Sequence, residues 1–289
     1  MNKFKKDPFY LLKYCLKTIL ILSILSAILF LTRGFDLSFN FETWMIILPI
    51  LGAVLCGYPS SILHNCAHGN TGTRLQNDLV GEILGTVMLY GFGGFRLGHM
   101  FHHKFPDDPL MDPHPPRGYS FFFFLLSPVK ATLGVIERSY FSYFGENKTT
   151  RTNIQLQKIA FNISIILRVL FWYLLLGSEL FVLFYIPMYV LNIFVFAHIN
   201  YATHIVNDDG SSEIVNLNNN YYYKIVNKIS FGGYFHKNHH RRPQVYNPSK
   251  IQLKNDVDYI TYIPTNIQED KKPSFIESLL SGLTGVLKS

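Results

Sequence analysis

Four stretches of this chain are long and apolar enough to cross a bilayer, which takes about 20 residues of helix. They cover about Leu11 to Thr32, Trp44 to Leu63, Ile159 to Leu176 and Leu180 to Ala197. Lys13 and Lys17, near the start of the first, can snorkel to the interface. The second carries no charge and ends directly on His64, the third carries Arg168, and the fourth ends on His198. The pattern predicts an all-α integral membrane protein with a single domain over residues 1–289. Four transmembrane helices form two hairpins, and residues 64–158 and 198–289 make a cap on one side of the membrane.

Shorter apolar pieces add to this outline. Ile83 to Phe95, rich in glycine, and Tyr119 to Val129 read as interfacial or re-entrant helices. In Pro273 to Lys288, Ile276, Leu279, Leu280, Leu283 and Leu287 recur at helical spacing, which predicts a helix lying on the membrane surface. The polar stretches Glu137 to Lys158 and Asn207 to Asn219 read as surface connections.

Lysine and arginine set the orientation. The first short connection holds only Arg33 and the Gly177-Ser178-Glu179 connection holds none, whereas Lys3, Lys5, Lys6, Lys13 and Lys17 crowd the N-terminal segment. Both termini and the histidine-rich cap are therefore expected in the cytoplasm. The sequon Asn147-Lys148-Thr149 would lie there too, out of reach of glycosylation.

Composition supports lipid surroundings. Apolar residues reach 48% and charged residues fall to 16%, against roughly 25% in soluble domains. The net charge of +7 comes from basic residues flanking apolar stretches, so nucleic acid is not an expected partner. Cys15, Cys56 and Cys66 fit neither a disulfide framework nor a zinc ribbon. The first apolar run has no small-residue cleavage site and reads as a retained helix.

Eight of the eleven histidines fall into three clusters: His64 and His68; His99, His102 and His103; His236, His239 and His240. Residues three and four apart share a helix face, so each cluster can aim two or three imidazoles in one direction. A single histidine at a membrane end is ordinarily an interfacial residue. Three clusters in one chain would repel one another if protonated and gain little as packing, whereas neutral imidazole is a common metal ligand. His64-Asn65-Cys66-Ala67-His68 lacks the glutamate of a zinc protease. Eight imidazoles exceed what one ion can use, so two metals fit the count. A nitrogen-rich set with redox work to do suggests iron, unlike the glutamate-bridged sites of soluble bundles.

These clusters resemble the three histidine boxes of the membrane fatty acid desaturase superfamily, which also includes alkane and carotenoid hydroxylases and carotenoid ketolases. The resemblance extends to His102-His103-Lys104-Phe105-Pro106-Asp107-Asp108-Pro109 and Asp112-Pro113, and to Gly232-Gly233-Tyr234-Phe235, covering roughly Gly57 to Pro243. It implies a further ligand position after the last span, where Asn200-Tyr-Ala-Thr-His204 would put both end residues on one helix face. His204 is then a ninth imidazole ligand and Asn200 a ligand through water. His198 is expected to be supporting or structural, and His114 not a ligand. The third box runs into Arg241-Arg242-Pro243, where family members often have hydrophobic residues, and these arginines could hold a lipid headgroup or an acidic donor protein. Arg168 needs an inward partner or a water path, with Glu82 as the candidate.

Removing hydrogen from an unactivated methylene is beyond side-chain acids and bases. The resemblance implies two iron ions, dioxygen as co-substrate, and a fatty acyl or other lipid substrate that is desaturated. A hydroxylase or ketolase acting on a carotenoid, alkane or acyl chain is the alternative, and a membrane metal carrier or sensor without turnover is a reading of another class. The chain has no cysteine cluster for iron–sulfur and no spare stretch for a fused haem domain. A separate ferredoxin-, rubredoxin- or cytochrome-type donor is implied.

Overall fold

The computed structural model describes residues 2–108, 110–114, 116, 119–126, 128–207, 209, 211–252 and 259–262. The surface helix expected over Pro273 to Lys288 lies outside them.

Among the described residues, three apolar helical runs are long enough to cross a membrane: Tyr10–Arg33, Thr43–His68 and Lys148–Thr203. The first is helix α2, which follows the short α1 (Asn2–Lys6). Leu16, Leu20, Ile24, Ile28 and Leu31 stand exposed along it, an apolar surface far too continuous for a soluble protein. The second run comprises a 3-10 turn (Thr43–Ile46), α3 (Ile47–Leu55) and α4 (Tyr58–His68). It extends further than expected, so the first histidine box sits inside it, on the last turns of α4.

The third run spans 56 residues, where an unbroken helix would be about 84 Å long, far beyond a bilayer core of about 30 Å. It is divided. α9 (Lys148–Leu180) contains a non-helical residue, Gly177, with φ 77° and ψ 171°, a conformation that glycine adopts without Cβ strain. A π-helical turn (Phe181–Tyr185) then leads into α10 (Ile186–Thr203). α9 packs along α2, whereas α10 packs on α3 and α4.

Between α4 and α9 the chain builds α5 (Arg74–Val87), α6 (Phe92–Lys104), α7 (Phe121–Leu126) and α8 (Pro128–Phe144). The glycine-rich piece expected to be one interfacial helix is divided between α5 and α6, with Leu89 at φ 64° and Gly91 at φ 72° in the turn. Thr73 and Gln76 close a capping box at the start of α5. Leu75, Leu79 and Ile83 form an exposed apolar stripe along this helix. Glu137 to Lys158 is no surface connection: it contains the end of α8 and the start of α9, with Tyr140 and Ile154 buried in a core shared with Phe4, Leu11, Leu97 and Phe101.

The all-α expectation also needs correction. After α10 come strands β1 (His204–Val206) and β2 (Ser211–Ile214), which lie with β3 (Tyr259–Tyr262) in a three-stranded antiparallel sheet ordered β1-β2-β3. The stretch from Asn207 to Asn219 thus contains a buried strand, because β2 buries Ser211, Ser212 and Ile214 rather than exposing a polar loop. Helices α11 (Tyr221–Ile229) and α12 (His236–Arg241) follow β2 in the chain. Ile199, Val226 and Tyr234 form the core that fixes α10 and α11 beside α12.

Candidate metal centre and lipid cavity

The nine predicted histidines converge in two groups. His64, His68, His99, His103 and His239 form one, and His102, His204, His236 and His240 the other; within each, one ligand atom per residue lies within 4.8 Å of all the rest. The groups adjoin, with the His103 and His240 rings 4.4 Å apart.

The boxes do not each point one way, as their spacing suggested. Box two sends His99 and His103 to one group and His102 to the other; box three sends His236 and His240 to one and His239 to the other. The reason is helical geometry. Residues four apart are offset by about 40° around the axis, but adjacent residues diverge by about 100°, so the neighbours 102/103 and 239/240 must face different centres.

His204 arrives by another route than the expected helix face. α10 ends at Thr203, and His204 adopts an extended conformation (φ −108°, ψ 102°) as the first residue of β1. Asn200 stays in the last turn of α10, and its side-chain N–H donates to the His114 carbonyl at 2.8 Å. Asn200 and His114 both line the cavity described below, and neither belongs to the two histidine groups. His198 is also apart from them, with Nδ1 2.5 Å from the Tyr234 hydroxyl.

Two aspartates that sequence reading quoted only as flanking residues prove central. Both carboxylate oxygens of Asp112 lie 3.0 Å from His102 Nδ1, and those of Asp107 lie 2.9 and 3.0 Å from His204 Nδ1. Each carboxylate accepts the Nδ1 proton and so turns Nε2 into the free lone pair, the usual support of a metal-binding imidazole. Asp107 is itself held by the Ser212 hydroxyl at 2.5 Å, and its backbone N–H donates to Asp112 at 2.7 Å. Its φ of 61° is left-handed, which aspartate tolerates better than most residues. The signal available in the sequence was a group of acidic residues, Asp107, Asp108 and Asp112, within ten positions of a histidine box.

The donor atoms fit metal better than a purely proteinaceous network. His99 Nε2 lies 2.7 Å from His68 Nε2 and 3.1 Å from His103 Nε2. His103 Nε2 is also 2.9 Å from His239 Nε2, and His240 Nε2 is 3.1 Å from both His102 and His236 Nε2. A neutral ring nitrogen carries either one proton or one lone pair, so these doubly contacted atoms cannot satisfy both neighbours by hydrogen bonding. Charging the rings is no remedy. Burial first, then neighbouring imidazoles, hold His99, His103, His236, His239 and His240 well below the usual histidine range. His102 goes the other way: burial lowers it, but the charges of Asp112 and Asp107 and the hydrogen bond that it donates to Asp112 raise it overall. A metal–imidazole bond is about 2.0–2.1 Å, so two ligands at a right angle stand about 3 Å apart. His204 Nε2, buried and without a hydrogen-bond partner among the described residues, is a further donor that an ion would satisfy.

The sequence model of the family described as fatty acid desaturase matches residues 42–248. The chain belongs to the fatty acid desaturase family. No curated protein and no solved structure matches it. The matched region of this desaturase-family chain includes all nine histidines and both aspartates.

A cavity of about 330 Å³ meets the histidines. His64, His99 and His239 of one group and His102 and His236 of the other lie on its wall, which continues through Phe95, Phe196 and Ile193 to Phe161 and Arg168 of α9. Phe95 stacks on His99 with ring centroids 5.6 Å apart and planes at 4°, closing the histidine end with apolar surface.

Proposed function

We propose that this protein is a multi-pass membrane enzyme that desaturates a fatty acyl or related lipid chain with dioxygen, using two iron ions held by the nine histidines. The observation that carries the reading is the meeting of two histidine groups with one predominantly apolar cavity. His64, His68, His99, His103 and His239 would hold one ion; His102, His204, His236 and His240 would hold the other. Asn200, on the cavity wall, would act on the centre through water. Bound iron would supply the reaction with dioxygen and the removal of hydrogen from an unactivated methylene, chemistry no side chain here can perform alone.

The chain's own residues do the rest. Asp107 and Asp112 fix the tautomer and direction of His204 and His102. The cavity wall orients the substrate chain beside His64 and His99 and keeps water away from it. Electrons come from a separate ferredoxin-, rubredoxin- or cytochrome-type protein. The break at Gly177 supports a turn between two membrane passes, hence four spans. The lysine-rich N-terminal segment supports cytoplasmic placement of both termini and the metal centre.

Expression in a lipid-producing host, followed by mass spectrometry of its lipids and oxygen-uptake assays with purified protein, tests this. A new double bond is the expected product. A hydroxylated or keto product without a new double bond would replace desaturase by hydroxylase or ketolase. Absence of reductant-dependent oxygen uptake with a lipid substrate would leave a metal carrier.

A further inference from the structure

Arg168 lies in the middle of α9 and is 1% exposed. Among the described residues its single hydrogen bond runs from Nη1 to the Ser164 hydroxyl at 2.7 Å, and the buried Nε has no partner. A guanidinium offers five N–H donors in a fork that matches a carboxylate. A cation placed here only to tie helices together would use more of them, because a charge in mid-span is costly unless its donors are satisfied.

The expected partner, Glu82, makes no direct ion pair with it. Glu82 instead accepts the Tyr14 hydroxyl at 2.5 Å and acts on Arg168 through space, without a hydrogen bond to it. A second positive feature lies against the guanidinium. Gly91 caps the N-terminus of α6 with φ 72° and provides no side-chain cap, and a Cβ built on it would stand 2.5 Å from Arg168 Nη2. A buried guanidinium thus adjoins the end of a 13-residue helix whose dipole also favours an anion.

Arg168 faces the cavity that reaches the histidines, together with Tyr14 and, from the first turn of α6, Gly94. Along α6, Gly91 and His99 are separated by a helical rise of about 12 Å. We propose that Arg168, at the N-terminus of α6, binds the carboxylate of a linear free acid whose hydrocarbon chain runs along the cavity to the histidine groups. This rests on the lipid-oxidation reading above and names its substrate class. The position of attack is then measured from the acid end, and an ester or alkane of equal length loses the anchor.

Binding can be read without turnover. Of the two tryptophans, Trp172 lies one helical turn beyond Arg168 on the same face, with Nε1 on the Thr86 carbonyl at 2.9 Å. With Trp44→Phe in the full-length protein in phosphatidylcholine nanodiscs, Trp172 fluorescence reports alone. Bromine on the carbon next to the carboxyl of hexadecanoic acid should quench it more than bromine on the terminal carbon. Unlabelled hexadecanoic acid should displace the probe roughly tenfold better than its methyl ester, about 1.4 kcal/mol. Arg168→Gln should erase both differences while bound iron stays at the wild-type level. Equal quenching by the two brominated acids, or equal displacement by acid and ester, would overturn the proposal in wild-type background without recourse to the variant. Selective acid binding without any oxidised product would sink the oxidation reading and leave the anchor standing.

Discussion

Asp107 and His204 stand 97 positions apart in the chain and meet at 2.9 Å, both fully buried. The contact joins the turn after the second histidine box to the first residue of β1, so the proposed ninth ligand, which no box contains, is delivered by a strand and aimed by a distant carboxylate. Burial alone would raise the Asp107 pKa; the His204 charge and the hydrogen bonds from His204 and Ser212 overcome this and hold it below the usual carboxylate range.

Asp107→Asn should therefore weaken one metal position without unfolding the turn, since asparagine tolerates the φ of 61°. Loss of such a supporting carboxylate typically costs 10- to 100-fold in metal affinity. Iron analysis of the purified variant should show depletion of the His102, His204, His236 and His240 group with the five-histidine group still loaded. Unchanged iron affinity and unchanged turnover would remove Asp107 from this role.

The division of the boxes makes a sharper prediction about ligands. His102→Ala and His239→Ala should each abolish turnover and reduce bound iron while membrane insertion is preserved, because they serve different groups yet one reaction needs both. The pair should also be non-additive: once one group is broken, breaking the other removes metal but little further activity. Full activity in either single variant, measured by lipid product, would rule out the assignment.

How far the sequence led depends on the range of the interactions involved. The apolar runs and the histidine spacing are local patterns, and the fold displays both, with α2, α4, α6 and α12 where periodicity places helices. Sorting into two centres needed the angle between adjacent residues on a real helix. The approach of Asp107 to His204, the sheet that places His204, and the meeting of Arg168 with Gly91 depend on chain segments that are far apart in sequence, and no local pattern encodes them.

Acid should destabilise the metal-free protein. His99, His103, His236, His239 and His240 have folded pKa values below the unfolded value of about 6.5, so below that pH the unfolded chain binds more protons and stability falls as pH falls. Each such group contributes at most about 1.4 kcal/mol per pH unit in that window. His102, with its raised value, works in the opposite sense, losing its contribution as pH rises through its folded pKa, but it is one group against five. Thermal melts of chelator-treated protein in detergent should show Tm dropping from about pH 7.5 to about pH 5.5, with added iron restoring Tm at the upper pH. A flat or inverted profile would contradict the burial of neutral imidazoles.

The cavity offers a way to alter substrate choice without disturbing the metal. Gly94 lies on its wall, and a Cβ added there would meet nothing within 4 Å, so side-chain volume at this position projects into open space. Ala costs nothing in packing and, within α6, improves helix propensity by roughly 0.8 to 1.0 kcal/mol over glycine. Leu extends the same vector into the path between Arg168 and His99. Gly94→Ala should leave turnover close to wild type. Gly94→Leu should bind the same iron yet lose activity on long chains while retaining it on shorter ones, or shift the site of attack along the chain. The check is product analysis over a series of acyl lengths beside iron content for both variants. If Gly94→Leu leaves the length profile and the position of attack untouched, the substrate takes another route to the histidines.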